Sequence, residues 1–154
     1  MLTGASGSGV EVWSSYDPAM ATLLAYITVR PGSEAAFETI ARTLYERTHA
    51  TESAVRYYEY WRGADPRTYY TLLSFDDHRA FITHQTSDHH ETASPVIGQL
   101  VESIRLEWVD PIDGASALRS TEMQPAPDGA DALTLEYTER FAAVVAEWWL
   151  AQRP

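Results

Sequence analysis

The sequence predicts one α+β domain whose elements follow the order strand, helix, strand, strand, helix, strand. Apolar and β-branched runs that end at turn residues predict the strands, and apolar residues at helical spacing between them predict the helices. This β-α-β-β-α-β order is that of ferredoxin-like domains, in which an antiparallel sheet carries both helices on one face. A chain of 154 residues with 45% hydrophobic residues can form one such domain and a few appendages.

The first predicted strand and helix adjoin each other. Residues 23–30 are rich in apolar and β-branched side chains and end at Pro31-Gly32. Ser33 follows as an N-cap, with Glu34 in the first helical turn. Four apolar residues then recur at helical spacing, which predicts a helix that extends to about Thr48. They are Phe37, Ile40, Ala41 and Leu44.

Three further strands are predicted. Residues 55–61 and 69–75 are dominated by aromatic and apolar side chains, which favour extended structure. The Arg-Gly-Ala-Asp-Pro sequence at 62–66 is typical of a turn, so these two strands should pair as a hairpin. Residues 104–109 form the closing strand of the sheet.

The second helical region should be broken in two. Asp76 or Asp77 can cap its first part, which places Phe81 and His84 on one face because three residues make about one turn. Ser94-Pro95 has the pattern of an N-cap followed by proline at the first helical position. We therefore expect the second part to begin there.

These boundaries divide the chain into three parts. Residues 1–22 are expected to form a flexible leader, in which residues 10–13 could add a short strand or an arm. Residues 23–111 form the ferredoxin-like domain, and residues 112–154 form a linker and an extra C-terminal helix. The stripe of aromatic and aliphatic side chains over 133–152 predicts one amphipathic helix that packs on the domain or on a partner subunit.

Composition excludes several classes of partner and chemistry. The formal net charge is -11, whereas nucleic acids and anionic membranes attract clustered Lys and Arg. The absence of cysteine excludes thiolate nucleophiles, disulfides and thiolate-ligated metals. Because no run reaches the ~20 apolar residues of a membrane span and the N-terminus lacks a signal-peptide pattern, we expect a cytoplasmic protein.

The predicted sheet has helices on one face only. Aromatic side chains on its other face would be exposed in a monomer, and soluble proteins normally cover such a surface. Packing against the same face of a second copy is the simplest way to cover it. We therefore expect a homodimer.

Three short motifs within residues 23–111 occur in a characteristic order. They are Val29-Arg30-Pro31-Gly32 before a helix that carries Phe37, Arg56-Tyr57-Tyr58-Glu59 before the Asp65-Pro66 turn, and His84 nine residues after Phe75 with His89 five further on. In these motifs the chain resembles the antibiotic biosynthesis monooxygenase family, which includes quinol monooxygenases, and its dimeric α+β barrel relatives. The resemblance implies a dimeric α+β barrel and a monooxygenase that needs no cofactor.

The chain also departs from the family. Leu73 stands where the third strand commonly carries a glutamate, and Phe75 stands where it commonly ends in tryptophan. The predicted C-terminal helix has no counterpart in the minimal family pattern. The role of the missing glutamate is therefore lost, and the substrate of a single relative does not transfer to this chain.

Two histidines are the candidate catalytic residues. His84 should point into the cleft between its helix and the sheet, where an imidazole could deprotonate a phenol or quinol. A structural, hydrogen-bonded histidine in the core is the alternative. His89 lies roughly 140° further around an unbroken helix, so it joins His84 only if the helix breaks. His90 is a third candidate, which we expect to be solvated.

A metal site is a further possibility in the same segment. Imidazole and carboxylate ligands from His84, Asp88, His89 and Glu91 would suit Zn, Fe or Mn. Only His84 and Asp88 are four residues apart on a helix, and the spacing matches no established metal motif. We therefore predict that the chain uses neither a metal nor another cofactor.

Six aromatic residues are candidates for substrate binding, because they offer flat surfaces and hydroxyl donors. They are Tyr26, Tyr58, Tyr60, Tyr70, Phe81 and Trp108. Neighbours along a strand point to opposite faces, so only one set of them can line a single pocket. Such a pocket would suit a flat, weakly acidic aromatic molecule such as a quinol, an anthrone or a polyketide.

The resemblance implies that the protein deprotonates such a substrate and that the resulting anion itself reduces oxygen. Three alternatives stay open: a cyclase, isomerase or decarboxylase that uses the same histidine, a haem-degrading enzyme, and a non-catalytic dimeric binding protein. The sequence contains no glycine-rich phosphate loop, nucleophile elbow or P-loop. Hydrolases and nucleotide-dependent enzymes are therefore disfavoured.

Overall fold

A computed structural model describes residues 19–153 and confirms the predicted α+β order of elements. A four-stranded sheet and three helices form the domain, and two short helices follow it. The elements are β1 Ala21–Val29, α1 Glu34–Thr51, β2 Val55–Arg62, β3 Thr68–Phe75, α2 His78–Gln85, α3 Asp88–Leu100, β4 Val101–Trp108, α4 Ala132–Arg140 and α5 Glu147–Leu150. The second helical region is thus α2 followed by α3.

The sheet has the strand order β2-β3-β1-β4, and all three pairings are antiparallel. The predicted hairpin is the β2–β3 pair, while β1 lies between β3 and β4. In this register Leu23 lies opposite Leu73 on one side and Trp108 on the other. Side chains of these three residues therefore share one face of the sheet.

The core lies between this face and the helices. Leu23, Ala25 and Ile27 of β1 are buried there, and they meet Phe37 of α1 and Phe81 of α2 in one apolar cluster. Burying a side chain such as phenylalanine contributes about 1.5–3 kcal/mol. The two-residue period of β1 and the helical period of α1 and α2 both direct apolar side chains into this cluster.

The break in the second helical region lies at Ser87, not at Ser94-Pro95, so that expectation was wrong. Ser87 caps α3 by accepting a hydrogen bond from the backbone N–H of His90, and acidic residues follow it in the first turn. Pro95 lies inside α3, where the hydroxyl of Ser94 donates to the carbonyl of His90 at 3.0 Å. A proline within a helix usually costs about 3 kcal/mol. Packing of α3 on the core, through buried Ala93, offsets this cost.

The C-terminal segment is two helices instead of the one predicted over 133–152. The backbone leaves helical geometry at Phe141, whose carbonyl accepts a hydrogen bond from His78 at 3.0 Å instead of continuing α4. Val144 and Val145 follow, and β-branched residues favour helices weakly. The predicted packing on the domain holds for α4, because Tyr137 and Phe141 pack against the core cluster.

Residues 10–13, for which a short strand or arm was expected, lie outside the described residues. The first strand begins at Ala21, two positions before the predicted start of the domain. Among residues 19–153, no helix is both long and apolar enough to cross a bilayer.

Candidate functional site

Three side chains from three different elements meet beneath the helices. Glu52 directly follows α1, His84 lies near the end of α2, and His89 lies in the first turn of α3. One carboxylate oxygen of Glu52 lies 3.0 Å from Nδ1 of His84 and 2.9 Å from Nε2 of His89. We call these three residues the histidine–carboxylate cluster.

The helix break at Ser87 brings the two histidines together. On a continuous helix His84 and His89 would point in directions roughly 140° apart. The chain turns at Ser87 instead, so the first turn of α3 directs His89 back toward the end of α2. Their ring centroids are 6.0 Å apart. The predicted condition for His89 to join His84 is therefore met, at a different residue from the one expected.

His84 is fully buried, on the face of α2 that it shares with Phe81. Its Nδ1 atom lies 3.0 and 3.2 Å from the two carboxylate oxygens of Glu52. Because an ionised carboxylate only accepts hydrogen bonds, Nδ1 carries the proton and Nε2 carries the lone pair. Nε2 is buried and has no hydrogen-bond partner among the described residues. The ring is thus held as a proton acceptor with its accepting atom unused.

The surroundings of His84 are dry and mostly aromatic. Its ring lies 4.7 Å from that of Tyr58, 5.2 Å from that of Phe75 and 4.9 Å from that of His90. Burial is the main cause that lowers the pKa of His90 to about 3. His90 is therefore neutral at physiological pH, and it is mostly buried instead of solvated as expected.

His89 occupies the more open side of the cluster, where its side chain is 13% exposed and that of Glu52 is 12% exposed. Its Nε2 atom also lies 3.3 Å from the hydroxyls of Thr48 and Ser87. Nε2 of His89 therefore has three polar neighbours, which are the carboxylate of Glu52 and the hydroxyls of Thr48 and Ser87. The cluster can be reached from this side.

Tyr58, whose ring contacts that of His84, shares a hydrogen bond with Tyr60. The hydroxyl oxygens of Tyr58 and Tyr60 are 2.9 Å apart, and either can donate. Burial raises the pKa of Tyr58 well above its usual value and that of Tyr60 to about 12. Both phenols therefore keep their protons at neutral pH, and they can donate hydrogen bonds but cannot serve as anionic bases.

Tyr60 also lines a groove of about 530 Å³ between α1 and the β2 edge of the sheet. Phe37 and Tyr69 complete its apolar floor, and their ring centroids are 4.8 Å apart. Its rim holds Glu38 and Arg62, which form two hydrogen bonds of 2.6 and 2.7 Å. The hydrogen bond from Arg62 lowers the pKa of Glu38 to about 2. The groove has the volume and composition typical of small-molecule sites.

The other predicted binding residues separate into two places. Phe81 and Trp108 lie on the helix face with ring centroids 5.0 Å apart, and Phe81 precedes His84 by one turn of α2. Tyr26 and Tyr70 lie on the other face of the sheet, in edge-to-face contact at 5.7 Å. The guanidinium of Arg105 lies 3.9 Å from the ring centroid of Tyr26. Tyr26 and Tyr70 therefore cannot contact a substrate held at His84 of the same chain.

Glu52 was not among the sequence-predicted residues. The sequence does contain a signal for Glu52. An acidic residue at the C-terminal end of a helix interacts unfavourably with the helix dipole, so its presence there indicates a role other than stabilising the helix. The four residues that the sequence offered as possible metal ligands do not come together as one set. Glu91 instead accepts a hydrogen bond from the hydroxyl of Tyr137, and neither Asp88 nor Glu91 belongs to the cluster.

Comparison with known protein families matches residues 20–95 to the family described as antibiotic biosynthesis monooxygenase. This span contains all three residues of the histidine–carboxylate cluster and the tyrosine pair. No curated protein sequence matches the chain.

Comparison with solved structures finds the same fold in bacterial proteins. A Pseudomonas aeruginosa protein is 23% identical with a TM-score of 0.57, and the match covers 61% of this chain and 95% of that one. A Mycobacterium tuberculosis protein is 20% identical with a TM-score of 0.58, over 64% and 100%. A Caulobacter crescentus protein, provisionally named an antibiotic biosynthesis monooxygenase, is 22% identical with a TM-score of 0.59, over 64% and 94%. At these identities the similarity concerns the fold.

Proposed function

Since the chain belongs to the antibiotic biosynthesis monooxygenase family through residues 20–95, we propose that it is a monooxygenase. Its proposed substrate is a flat phenolic, quinol or polyketide-type aromatic molecule, which is oxidised by molecular oxygen. The observation that carries this proposal is the buried imidazole of His84, held by Glu52 with Nε2 unpaired.

A general base must hold a lone pair ready and must tolerate the charge that it gains. Hydrogen bonding of Nδ1 to Glu52 fixes the tautomer of His84, and the carboxylate stabilises the imidazolium that forms when Nε2 takes a proton. The buried aromatic surroundings strengthen this interaction because they exclude water. His84 is therefore the proposed base, and Glu52 is the residue that positions it.

The groove beside Tyr60 is the proposed place for the ring of the substrate. Its floor of Phe37, Tyr60 and Tyr69 offers aromatic surface on which a planar molecule can pack. The hydroxyl of Tyr60, protonated at neutral pH, can donate to the oxyanion of the substrate. Removal of this donor should weaken turnover more than it weakens binding.

The Tyr58–Tyr60 pair is the proposed route for a proton from the groove to the base. A proton leaving the substrate would pass to the hydroxyl pair and then to Nε2 of His84, whose ring already contacts that of Tyr58 at 4.7 Å. Nε2 has no hydrogen-bond partner among the described residues, so the last step needs a movement of His84 or Tyr58 that brings the Tyr58 hydroxyl to Nε2. Catalytic hydrogen bonds are often long in a free enzyme and shorten when the substrate binds.

The chemistry balances without another reductant. Loss of the phenolic proton gives an electron-rich anion, which passes one electron to oxygen and leaves a superoxide and an aryloxyl radical. Their recombination at a ring carbon gives a peroxide anion, which takes back the proton held by the base and becomes a hydroperoxide. Cleavage of its O–O bond, with loss of the hydrogen on that carbon, leaves a quinone carbonyl and releases the second oxygen atom as water.

The proposal is tested by oxygen uptake of chelator-treated protein with hydroquinones, anthrones and hydroxylated naphthalenes. We expect uptake equal to the quinone formed, and we expect Tyr60→Phe to lower turnover about tenfold or more. Tyr45→Phe is the matched control, because Tyr45 also lines the groove but is 45% exposed.

Each other outcome of this assay contradicts the proposal in its own way. Conversion of substrate without oxygen uptake would identify a cyclase, isomerase or decarboxylase acting through the same base. Equal effects of Tyr60→Phe and Tyr45→Phe would remove the Tyr60 hydroxyl as the specific donor to the oxyanion. No conversion of any substrate would favour a binding protein.

We also propose that the uncovered face of the sheet binds a second copy of the chain. Tyr57, Trp61 and Tyr70 lie on this face and are 40%, 60% and 41% exposed. Analytical ultracentrifugation should give a dimer, which Trp61→Arg should dissociate. A monomeric wild-type protein would contradict this proposal.

A further inference from the structure

We propose that the histidine–carboxylate cluster binds one divalent first-row transition metal ion, of which Zn²⁺ is the expected example. The ligands are Nδ1 of His84, Nε2 of His89 and a carboxylate oxygen of Glu52. Binding itself does not depend on the proposed monooxygenase activity, although the two concern the same residues.

The three donor atoms are already close together. All of them lie within 4.8 Å of one another, and each histidine nitrogen lies 2.9–3.0 Å from one oxygen of Glu52. Metal bonds of about 2.0–2.2 Å in tetrahedral geometry place ligand atoms roughly 3.3 Å apart. The contacts to Glu52 would lengthen by a few tenths of an ångström to admit the ion.

The donor set suits this class of ion and not others. Neutral imidazole nitrogens favour Zn, Cu, Fe and Ni, while Mg and Ca prefer oxygen ligands alone. The three ligands come from the ends of three helices. They would occupy three positions of a four-coordinate metal ion and leave the fourth position open. The partial exposure of Glu52 and His89, at 12% and 13%, gives the ion a path of entry.

Neighbouring groups support the ligands. The hydroxyl oxygens of Thr48 and Ser87 lie 3.3 Å from Nε2 of His89. Either hydroxyl could form a hydrogen bond to the ligand that occupies the open position of the metal ion. The formal net charge of -11 attracts cations to the chain as a whole.

Metal binding has a consequence for the proposed base, and this step rests on the proposed function. A neutral imidazole that coordinates a metal through Nδ1 carries its remaining proton on Nε2. Nε2 of His84 would then donate instead of accept, so it could not take a proton from the substrate. The metal-bound and proton-accepting forms of the cluster are therefore mutually exclusive.

The test is a titration of the chelator-treated, full-length protein with Co²⁺, followed by its visible d–d absorption, with Zn²⁺ as competitor. We expect one Co²⁺ per chain, displaced by Zn²⁺. His89→Ala and Glu52→Gln should each weaken binding by about 100-fold or more, since each removes a ligand. His49→Ala is the matched control, because His49 is exposed on the last turn of α1 and lies outside the cluster.

Two results would overturn the proposal. One is the absence of Co²⁺ absorption with the folded wild-type protein, and the other is binding that is lost in His49→Ala but kept in His89→Ala. Circular dichroism confirms that each variant is folded, and His89→Gln replaces His89→Ala if that variant is not.

The two proposals fail separately. Oxygen uptake is measured on metal-free protein, so it can succeed when Co²⁺ does not bind. Co²⁺ absorption needs no substrate, so it can succeed when no oxygen is consumed. If both hold, Zn²⁺ should inhibit oxygen uptake of the wild-type protein, and a chelator should restore it.

Discussion

The two ends of α2 each bury a histidine but give it a different partner. His78 is 1% exposed and His84 is 0% exposed. Nε2 of His78 bonds the backbone carbonyl of Phe141 at 3.0 Å, whereas Nδ1 of His84 bonds the carboxylate of Glu52 at 3.0 Å. In both rings the second nitrogen has no hydrogen-bond partner among residues 19–153.

This difference separates a structural histidine from a proton acceptor. A charge on the buried ring of His78 would face only a neutral carbonyl, and an uncompensated buried charge is costly. A charge on His84 would face the carboxylate of Glu52. The hydrogen bond of His78 has a structural effect, because it joins the domain to Phe141 at the end of α4. Phe141 lies outside residues 20–95, the span that matches the family. Burial alone therefore does not distinguish the two roles, and the partner does.

The largest expected effect on turnover comes from removing the negative charge of Glu52, which distinguishes the surroundings of His84 from those of His78. Glu52→Gln should lower kcat by about 10²- to 10⁴-fold with little change in KM, because the amide neither stabilises the imidazolium nor fixes the same tautomer. Steady-state oxygen uptake measures it. A loss of less than about tenfold in a folded variant would show that Glu52 does not support the base.

At the other end of α2 we expect an effect on stability instead of turnover. His78→Ala removes the hydrogen bond to Phe141 and leaves a cavity beside Phe81 and Trp108. It should lower the free energy of unfolding by about 2–4 kcal/mol, measured by urea denaturation. The kcat of the folded variant should stay within a few fold of the wild-type value. A large fall in kcat would contradict the assignment of His78 to a structural role.

His90 extends the comparison to a third histidine, which is partly exposed. Its folded-state pKa of about 3 lies below the usual 6.5, so folding favours the neutral ring. This stability is present above pH 6.5 and is lost as the pH falls from 6.5 toward 3, because only the unfolded chain then binds the proton. The loss is on the order of a few kcal/mol. His90→Gln should flatten this part of the pH–stability curve, and an unchanged curve would contradict the assignment.

The smallest expected effect concerns Glu38, a carboxylate whose partner is exposed, in contrast to Glu52. Arg62 lowers the pKa of Glu38 to about 2, but the side chain of Arg62 is 76% exposed. Arg62→Ala should return the pKa of Glu38 toward 4.5, as measured by NMR titration of its carboxyl carbon. Because the folded-state pKa is lowered, the ion pair stabilises the fold above pH 4.5 and loses this contribution as the pH falls toward 2. An unshifted titration would contradict the pairing.

Much of the fold could be predicted because the signals are local. The strand that ends at Pro31-Gly32 and the hairpin around Asp65-Pro66 depend on turn residues next to the elements that they end. The position of the helix break could not be predicted from Pro95, since packing of α3 tolerates it. The Ser87 cap, with acidic residues after it, was the better signal.

The candidate site was only half predictable. His84 and Phe81 follow from helical spacing, and the structure buries both on the helix face. Glu52 lies 32 positions from His84 along the chain, so only the tertiary fold brings them into contact. The structure also places Tyr58 and Tyr60 on one face of the sheet and Tyr26 and Tyr70 on the other. Alternation along β2 predicts these faces only when the register of β2 against β3 is known, and a bulge after Val55 shifts that register.

The measurement that tests the proposed base most directly is chemical rescue of His84→Ala by added imidazole, followed as oxygen uptake beside His78→Ala. We predict that His84→Ala loses turnover by about 10²-fold or more and regains part of it with imidazole, because the small base enters the space left by the side chain. His78→Ala should show neither effect. Full turnover of His84→Ala without imidazole, in a folded protein, would contradict the assignment of His84 as the base.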